Sequence, residues 1–131
     1  MLRTVEPNDY NTIQTLECVL FPGAARGRNY ILSAHGGRFC LVLEEQGSIL
    51  GYVLAEHQRD GWCIDRLGVR PDRQRRGIGR LLVQAVLQEV PRPVMAVVPK
   101  DRFGGGFRLF TTLGFYSHAW PDNTTLIMRL E

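Results

Sequence analysis

A candidate anion-binding site lies at residues 74–79, which read Gln-Arg-Arg-Gly-Ile-Gly. We call this segment the glycine loop. An apolar repeat at helical spacing starts at Ile78, so Gly77 and Gly79 stand where a helix begins. The first backbone N–H groups of a helix have no acceptor within it, and together with the helix dipole they attract negative charge. Because glycine has no side chain to cover these groups, the loop predicts a site for a phosphate or pyrophosphate.

Two other phosphate-binding motifs do not match the glycine loop. A dinucleotide-binding loop would need a third glycine where Leu82 stands, and a P-loop would need Gly-Lys-Ser/Thr, which the sequence lacks. A simpler explanation is that Gly77 and Gly79 only permit a tight turn, while the arginines beside them form a solvated face. The Gly-x-Gly spacing alone does not separate this explanation from anion binding.

The basic residues are concentrated around the same loop. The net charge is +3, yet residues 66–80 hold six arginines and one acidic residue, which leaves ten basic and twelve acidic side chains elsewhere. Such a patch, with a pI near 9.0, also fits a nucleic-acid-binding module. Against that alternative, the charge is confined to one loop and helix start, and aromatic residues do not alternate with basic ones. We therefore expect an anionic ligand and no nucleic-acid partner.

The size of the chain limits its organisation. At 131 residues it is long enough for one domain and too short for two of ordinary size. No apolar run approaches the roughly 18 residues of a membrane span, and the first residues lack the basic start and apolar stretch of a secretory signal. We expect one cytoplasmic domain over residues 1–131, without membrane contact.

Metal binding is not indicated by the residue types that usually bind metals. The three cysteines stand far apart without a Cys-x-x-Cys pair, and the three histidines are also isolated. This pattern is typical of reduced core thiols rather than of disulfides or a zinc site. Spacing alone does not exclude ligands that folding brings together. The expectation is that no metal is bound.

The first part of the chain predicts a strand, two helices and a meander. Residues 2–5 form a short strand, and one or two turns of a second helix are expected at residues 30–34. The first helix lies between them, and its apolar face consists of Ile13, Leu16, Val19 and Leu20. Three β-rich runs follow at residues 39–44, 49–57 and 62–69. Asp60-Gly61 between the last two is a strong hairpin signal, so these runs predict an antiparallel meander.

The second part predicts a helix, a buried strand, another helix and a hairpin. The helix after the glycine loop has an apolar face made of Ile78, Leu81, Leu82, Ala85, Val86 and Val90. Residues 94–98 are expected to lie parallel to the strand before the loop, because the helix between them is a usual crossover. A last helix at residues 107–113, capped by Gly114, and a hairpin of residues 115–120 and 125–130 end the chain. Together these elements predict an α/β domain of the α+β type, with a mixed, mostly antiparallel sheet of six to seven strands and about four helices.

Residues 67–82 resemble the acyl-CoA signature of the GNAT superfamily of N-acetyltransferases. The core pattern of that family, Gln/Arg-x-x-Gly-x-Gly/Ala, is matched by Gln74, Gly77 and Gly79. A second match, Leu113-Gly114-Phe115, lies at the end of the last predicted helix. The predicted order of elements is similar to that of the family over nearly the whole chain. The resemblance implies acetyl-CoA as co-substrate and a primary amine, on a small molecule or a peptide, as acceptor.

The resemblance also implies that main-chain atoms bind the CoA: those around residues 75–80 the pyrophosphate, and those of residues 67–69 the pantetheine arm. A hydrogen bond from a backbone amide to a charged group is worth about 1.5 to 3 kcal/mol, and an exposed arginine ion pair about 1 kcal/mol or less, so the backbone should dominate. The side chains of Leu67 and Val69 remain able to pack in the core. The expected site consists of Leu67, Gly68, Val69, Gln74, Arg75, Arg76, Gly77, Ile78, Gly79 and Arg80.

In this family the amine attacks the thioester directly, so the protein must hold both reactants and accept a proton. Asp65 is the first candidate base, since strand alternation puts it on one face with Cys63, where some members carry a catalytic glutamate. The other interpretation of Asp65 is a carboxylate bonded to Arg66 or to the neighbouring strand. Glu56, on the preceding strand, is a second candidate base.

The group that would protonate the leaving thiolate is not evident. The family's frequent tyrosine, four residues before the glycine of Leu-Gly-Phe, is Phe110 here, and its asparagine near the start of the last helix falls near Phe103. The thiolate, with a pKa of about 8.5, could leave unassisted, which we favour. Alternatively Tyr116 donates a proton, although packing on the sheet is the favoured interpretation of this tyrosine. In a third interpretation the domain is a sensor or interaction domain that binds acetyl-CoA with little turnover.

Other features have two interpretations each. The loop with Arg26 and Arg28 often borders the acceptor site in this family, so these residues either attract an anionic group or are only solvated. Residues 104–106, three glycines, are a second anion-binding turn, a place of close CoA approach, or a flexible loop. Trp62 and Trp120 line the acceptor cleft or pack in the core. The exposed edges of the final hairpin could pair two subunits in a homodimer.

Overall fold

One seven-stranded sheet organises the chain in the computed structural model, which describes residues 1–27, 31, 37–100 and 103–131. The strands are β1 (Leu2–Thr4), β2 (Arg38–Glu45), β3 (Ser48–Gln58), β4 (Gly61–Val69), β5 (Val94–Pro99), β6 (Tyr116–Ala119) and β7 (Thr125–Leu130). The α-helices in the described residues are α1 (Tyr10–Leu20), α2 (Ile78–Glu89) and α3 (Phe103–Thr112), and short 3-10 turns lie at Pro7–Asp9 and Pro71–Arg73. The helix expected at residues 30–34 lies, except for Ile31, outside the described residues.

The sheet is mixed and mostly antiparallel, which confirms the predicted fold class. Its order is β1-β2-β3-β4-β5-β7-β6, and β4 and β5 are the one parallel pair among the described strands. The β2–β3–β4 meander and the closing β6–β7 hairpin form as the turn signals predicted. Helix α2 connects β4 to β5 as a crossover, as expected. Strand β6 lies at the edge of the sheet. A homodimer formed through the final hairpin stays a prediction.

Two apolar layers cover the two faces of the sheet. Helices α2 and α3 pack on one face, where Leu82, Val86 and Phe110 meet side chains of the central strands. Helix α1 packs on the other face, where Ile13 and Leu20 lie against Tyr52. Because β3 is covered on both sides, it is buried from Ile49 to Ala55. The central strands are thereby fixed between helices.

The predicted helix faces are correct in general and wrong at two residues. Val19 of α1 is exposed, and the buried position in that turn is occupied by Glu17. Leu81 of α2 is likewise exposed, and Val83 is buried in its place. With 3.6 residues per turn, residues 13, 17 and 20 share a stripe as well as residues 13, 16 and 20 do. The sequence did not predict that Glu17, rather than Val19, would be the buried residue.

The last helix starts earlier than predicted. Helix α3 begins at Phe103, so the three glycines at residues 104–106 are part of its first turns rather than of a preceding loop. Glycine costs about 1 kcal/mol in a helix, and packing of α3 on β5 overrides this local preference. Gly114 ends the helix as predicted: the N–H groups of Gly114 and Phe115 bond to the carbonyls of Thr111 and Phe110 at 3.0 Å each.

Searches for membrane and metal features cover the described residues alone. Within those ranges no helix has the length and apolar character needed to cross a bilayer. The same residues contain no group of three or more His, Cys, Asp and Glu side chains that could hold a metal ion.

Candidate active site

A cleft opens where the parallel strands β4 and β5 separate. Their pairing ends at Ile64 opposite Ala96, although β4 continues to Val69 and β5 to Pro99. The cleft has a volume of about 1070 Å³, which is at the upper end of the usual range for a ligand site. Its walls are residues 65–67 and 69 of β4, residues 97–99 of β5, the glycine loop and the inner side of α3. The gap in the sheet therefore presents main-chain atoms of both strands to a ligand.

A β-bulge at Asp65 lies at the point where the strands separate. On the antiparallel side Ala55 pairs with Ile64 and Leu54 pairs with Arg66, so Asp65 has no residue opposite it on β3. Bulges bend a strand and change the direction of its side chains. The strict alternation from Cys63 assumed above is therefore interrupted here, and the bend accompanies the separation of β4 from β5.

Asp65 lines the cleft and has an ion-pair partner. Its side chain is 14% exposed, and its Oδ2 lies 3.3 Å from Nη2 of Arg26, in the chain after α1. The sequence interpretation had named Arg66 or the neighbouring strand as the alternative partner. Arg66 is instead bonded to Glu17 of α1. Asp65 is thus held at the cleft wall by a residue 39 positions earlier in the chain.

The glycine loop is attached to the end of β4 and leads into α2. Nε2 of Gln74 donates a hydrogen bond to the carbonyl of Val69 at 3.1 Å. The first helical bond of α2 runs from the N–H of Leu81 to the carbonyl of Gly77, at 3.0 Å. The N–H groups of residues 75–80 have no acceptor among the described residues. Free donors at a helix start are what the predicted anion site requires, and the site itself stays a prediction.

Gly77 is required by the backbone of the loop. Its φ is +81°, in the left-handed region, and a Cβ added there would meet nothing within 4 Å. The reason for glycine is therefore conformational rather than spatial, since any other residue would be strained by about 1 kcal/mol or more. Arg75 also has a positive φ, +66°. Two left-handed residues so close together turn the main chain sharply before α2 begins.

The structure places most of the predicted CoA-site residues at the cleft, and three of them elsewhere. The cleft is lined by Leu67, Val69, Gln74, Arg75, Gly77, Gly79 and Arg80. Arg76 is not part of this lining, and Ile78 is buried in the core. A Cβ on Gly68 would lie 2.5 to 2.8 Å from ring atoms of Tyr52, so Gly68 makes room for that ring.

Four arginines of the described part of the chain line the cleft, and Arg66 of β4 is one of them. Arg75 and Arg80 line it from the loop side, and Arg108 lines it from α3. Arg70 and Arg73 instead approach the carboxylate of Asp72, at 2.8 and 3.8 Å. Arg108 was not among the residues that the sequence indicated, because it is 28 positions away from Arg80 and only the packing of α3 brings it to the cleft.

The other two candidate catalytic residues do not line the cleft. Glu56 accepts hydrogen bonds from Nε and Nη2 of Arg38, at 3.2 and 3.0 Å. Tyr116 is 44% exposed, and its hydroxyl donates to the carboxylate of Glu131. That hydrogen bond raises the pKa of the Tyr116 hydroxyl. Neither side chain is therefore placed to exchange a proton with a ligand in the cleft.

The position of the family's tyrosine is apolar in this structure. Phe110 lines the cleft and packs edge-to-face on Phe115, with ring centroids 5.0 Å apart. Trp62 packs against Phe39, at a centroid distance of 5.5 Å, and neither Trp62 nor Trp120 lines the cleft. Arg28 and the expected asparagine position near Phe103 lie where side chains are not described. The described cleft lining thus contains no tyrosine.

A buried polar network behind the cleft was missed in the sequence. Glu17 of α1 is fully buried and contacts Tyr52 and Arg66, and the phenol of Tyr52 is equally buried. Burial, together with the nearby Glu17 carboxylate, raises the pKa of the Tyr52 hydroxyl. The one indication of this network in the sequence was an acidic residue, Glu17, within the apolar face of α1. Leu20 and Phe21, at the end of that helix, also line the cleft.

Comparison with known proteins agrees with this geometry. Residues 8–115 match the model of the acetyltransferase (GNAT) family. Peptidyl-lysine N-acetyltransferase YiaC of Escherichia coli (strain K12) is 34% identical over 87 residues, which are 65% of this chain and 56% of that protein. The chain thus spans little more than half of the length of this curated relative.

Solved structures share the fold over the whole chain at low sequence identity. An aminoglycoside 6'-N-acetyltransferase complexed with coenzyme A has a TM-score of 0.85 at 14% identity, covering 99% of this chain and 96% of that one. A GNAT acetyltransferase from Bacillus cereus ATCC 10987 has a TM-score of 0.83 at 21% identity, covering 100% and 96%. Because the family model spans most of the sequence, and the fold and the loop geometry agree with it, the chain belongs to the acetyltransferase (GNAT) family.

Proposed function

We propose that this chain transfers an acetyl group from acetyl-CoA to a primary amine, by direct attack in a ternary complex. The observation that carries the proposal is the row of main-chain donors at residues 75–80, which have no acceptor among the described residues. Four of these residues, 75, 77, 79 and 80, line the cleft. Donors held in this way by a helix start suit a pyrophosphate. The proposal takes acetyl-CoA as a substrate and involves no metal.

The shape of the cleft fits the parts of a CoA molecule. The glycine loop, with Arg75, Arg80 and Arg108, would hold the phosphates at the open end. The unpaired edge of β4 at residues 67–69 would offer backbone N–H and C=O groups to the amides of the pantetheine arm. The reactive end would then lie near Asp65, at the inner end of the gap. Recognition by the backbone would also need no contact from the side chain of Arg76, which is exposed and does not line the cleft.

Asp65 is the base that we propose for this reaction. Among the described residues that line the cleft, it is the one carboxylate. It would accept a proton from the acceptor ammonium, directly or through a water molecule. The neutral amine nitrogen would then form a bond to the acetyl carbon as the bond from that carbon to sulfur breaks. Glu56 and Tyr116 are not part of this proposal, because both are bonded outside the cleft lining.

The leaving thiolate would depart without a protein acid. Phe110 occupies the position where the family often has tyrosine, and a phenyl ring donates no proton. A thiol has a pKa of about 8.5, so its thiolate is a tolerable leaving group near neutral pH. The main contribution of the protein would then be to hold the two reactants together, which is worth up to about 7 to 11 kcal/mol in favourable cases.

The acceptor that we propose is an amine on a small molecule or a peptide. The relative from E. coli is named for peptidyl-lysine, and one structural neighbour for an aminoglycoside, so both kinds of amine belong in a first test. A second candidate function is favoured by Phe110: a domain that binds acetyl-CoA as a signal and turns it over slowly. The two functions predict the same binding and different rates.

A thiol-release screen tests the proposal. The protein is mixed with acetyl-CoA and one of four amines: a lysine peptide with a blocked N-terminus, a peptide with a free N-terminus, spermidine and kanamycin. Calorimetry with CoA is carried out in parallel. Binding of CoA with thiol release from at least one amine supports the transferase. Binding without release supports the sensor. No affinity for CoA, together with steeply salt-dependent affinity for DNA, would contradict both.

A further inference from the structure

A buried carboxylate on α1 is directed toward the wall of the cleft. Glu17 is 0% exposed and lies between α1 and the sheet. Its Oε2 accepts from the hydroxyl of Tyr52, and its Oε1 accepts from Nε of Arg66 at 3.2 Å and from the backbone N–H of Arg26 at 2.8 Å. Both oxygens are therefore used by three separate parts of the chain. A buried charge needs such partners, because an unpaired one is strongly unfavourable.

Arg66 connects this carboxylate to the chain that follows α1. Its Nη2 donates to the carbonyl of Ala24, and its guanidinium carbon lies 3.9 Å from the centroid of the Phe21 ring. The side chain is 8% exposed. Arg66 thus makes an ion pair, a backbone hydrogen bond and a cation–π contact at once. This guanidinium joins residues 21–26 to β4, as the Arg26–Asp65 ion pair also does.

Arg66 is also one of the residues at the inner end of the cleft. Arg66 and Phe21 both line it, and Arg66 directly follows the bulged Asp65. Along β4, Arg66 is three residues before Val69, whose carbonyl is bonded to the glycine loop, so it lies about 10 Å from the loop end. A co-substrate with its phosphates at the loop would reach Arg66 with its acyl end.

We propose that Glu17 is a positioning residue of this cleft. It holds the Arg66 guanidinium against residues 21–26 and keeps it out of the space that the acyl end of the co-substrate occupies. The inference rests on the proposed function, because it takes CoA as the ligand of the cleft. Glu17 itself does not line the cleft, so its effect on the ligand passes through Arg66.

Removing the charge of Glu17 should redirect Arg66. In Glu17→Gln the guanidinium would be buried without a counter-charge, and the cleft that Arg66 lines offers it a path to solvent. The side chain would then turn into the cleft. Affinity for CoA should fall about tenfold, because part of the binding free energy would be spent on displacing the guanidinium from the cleft. Affinity for acetyl-CoA should fall further than that for CoA, because the acetyl group lies nearest to Arg66.

Calorimetry with CoA and acetyl-CoA tests this inference on the full chain. The matched control is Asp9→Asn, since Asp9 is also buried and held by an arginine, with Arg3 at 2.7 and 2.9 Å, yet lies at the other end of α1 and does not line the cleft. Both variants should lower the melting temperature. Only Glu17→Gln should raise the two dissociation constants, while those of Asp9→Asn should stay within about twofold of wild type.

A double variant distinguishes the positioning role of Glu17 from a merely structural one. Only the positioning role predicts that CoA affinity recovers when Arg66 is also replaced. In Glu17→Gln with Arg66→Met no guanidinium remains to enter the cleft, so CoA affinity should return to within about threefold of wild type. If Glu17→Gln does not fold, Glu17→Asp replaces it, because the shorter side chain keeps the charge but withdraws it from Arg66; the expected loss is then about threefold.

The outcomes separate this inference from the proposed function. Wild-type protein that binds CoA, with a Glu17→Gln variant that binds it equally well or a double variant that stays as weak as the single one, overturns the positioning role alone. Wild-type protein without affinity for CoA overturns the proposed function and this inference with it. Weakened binding that the double variant restores supports the positioning role and CoA as the ligand of the cleft.

Discussion

Replacement of Gly77 by glutamate should weaken CoA binding far more than replacement of Arg73 by alanine. Gly77 is in the donor row of the glycine loop, and a side chain there would extend into open space beside the proposed pyrophosphate. A carboxylate about 4 Å from a phosphate repels it by about 1 kcal/mol in water and about 4 kcal/mol at an effective dielectric of 20. For an exposed loop we take about 2 kcal/mol, which is a loss of about thirtyfold in affinity.

Arg73 should contribute much less, for reasons visible in its surroundings. Its side chain is 37% exposed, lies 3.8 Å from the carboxylate of Asp72 and does not line the cleft. An exposed ion pair is worth about 1 kcal/mol at most, so Arg73→Ala should weaken CoA binding by less than about fivefold. The order of the two variants therefore reports whether main chain or side chains hold the phosphates.

Calorimetry with CoA at two salt concentrations is the assay. Gly77→Ala and Gly77→Gln are the controls, because they impose the same strain at a φ of +81° without adding charge. That strain, about 1 kcal/mol, lowers stability in the free and bound states alike, so it should move the melting temperature more than the dissociation constant. Added salt should narrow the difference between glutamate and glutamine. A larger loss in Arg73→Ala than in Gly77→Glu would refute recognition by the backbone.

Three further changes test the site and the fold. Asp65→Asn should lower the rate of acetyl transfer by about a hundredfold, because it removes the proposed proton acceptor; an unchanged rate would show that Asp65 is not the base. Phe110→Tyr puts a hydroxyl at the cleft wall and should raise the rate in the thiol-release assay by up to about tenfold, unless departure of the thiolate is already unassisted and fast. The hydrogen bond from Arg3 lowers the pKa of Asp9 below its ordinary value. The stabilisation by this carboxylate is therefore fully present above the unfolded-state pKa and is lost as the pH falls through the lower, folded-state pKa. Urea unfolding at neutral pH and at about pH 2 should therefore show a smaller acid-induced loss in Asp9→Asn than in wild type, and equal losses would mean that Asp9 is not stabilised by its partner.

Most of the fold could be predicted because its signals are local. The Asp60-Gly61 turn and the β-rich runs on both sides of it specify a hairpin without reference to the rest of the chain. Pro71 follows the end of β4, and Gly114 ends α3 with the expected backbone bonds. The glycine loop was recognised for the same reason, since a helix start has a signature within a few residues.

The inner end of the cleft could not be predicted, because it depends on contacts between distant residues. The bulge at Asp65 appears only in the pairing of β4 with β3. The burial of Glu17 could not be predicted, because a carboxylate is expected to face solvent even when it lies next to an apolar stripe. Its burial is possible because Tyr52 and Arg66, 35 and 49 positions away, supply donors. Nothing in the local sequence of α1 announces these partners.

Local preference was also overruled by packing at single positions. Val19 and Leu81 are apolar and exposed, because each lies at the margin of its helix face. The glycines at residues 104–106 favour a loop by composition, yet they belong to α3. The cleft positions of Arg108 and Phe110 could not be predicted from local sequence either. The packing of α3 on β5 decides which side chains of this helix reach the cleft.

The gap between β4 and β5 has a consequence for how such a protein changes over generations. In the proposed function the ligand contacts there are made by the peptide groups of residues 67–69, which remain when the side chains of Leu67 and Val69 are replaced. Which side chains these strands can accept is therefore limited by packing in the core and not by contacts with the co-substrate. The walls near Phe21 and Asp65, in contrast, are made of side chains, so a handful of replacements could adapt the domain to a new amine while its donor site stays intact.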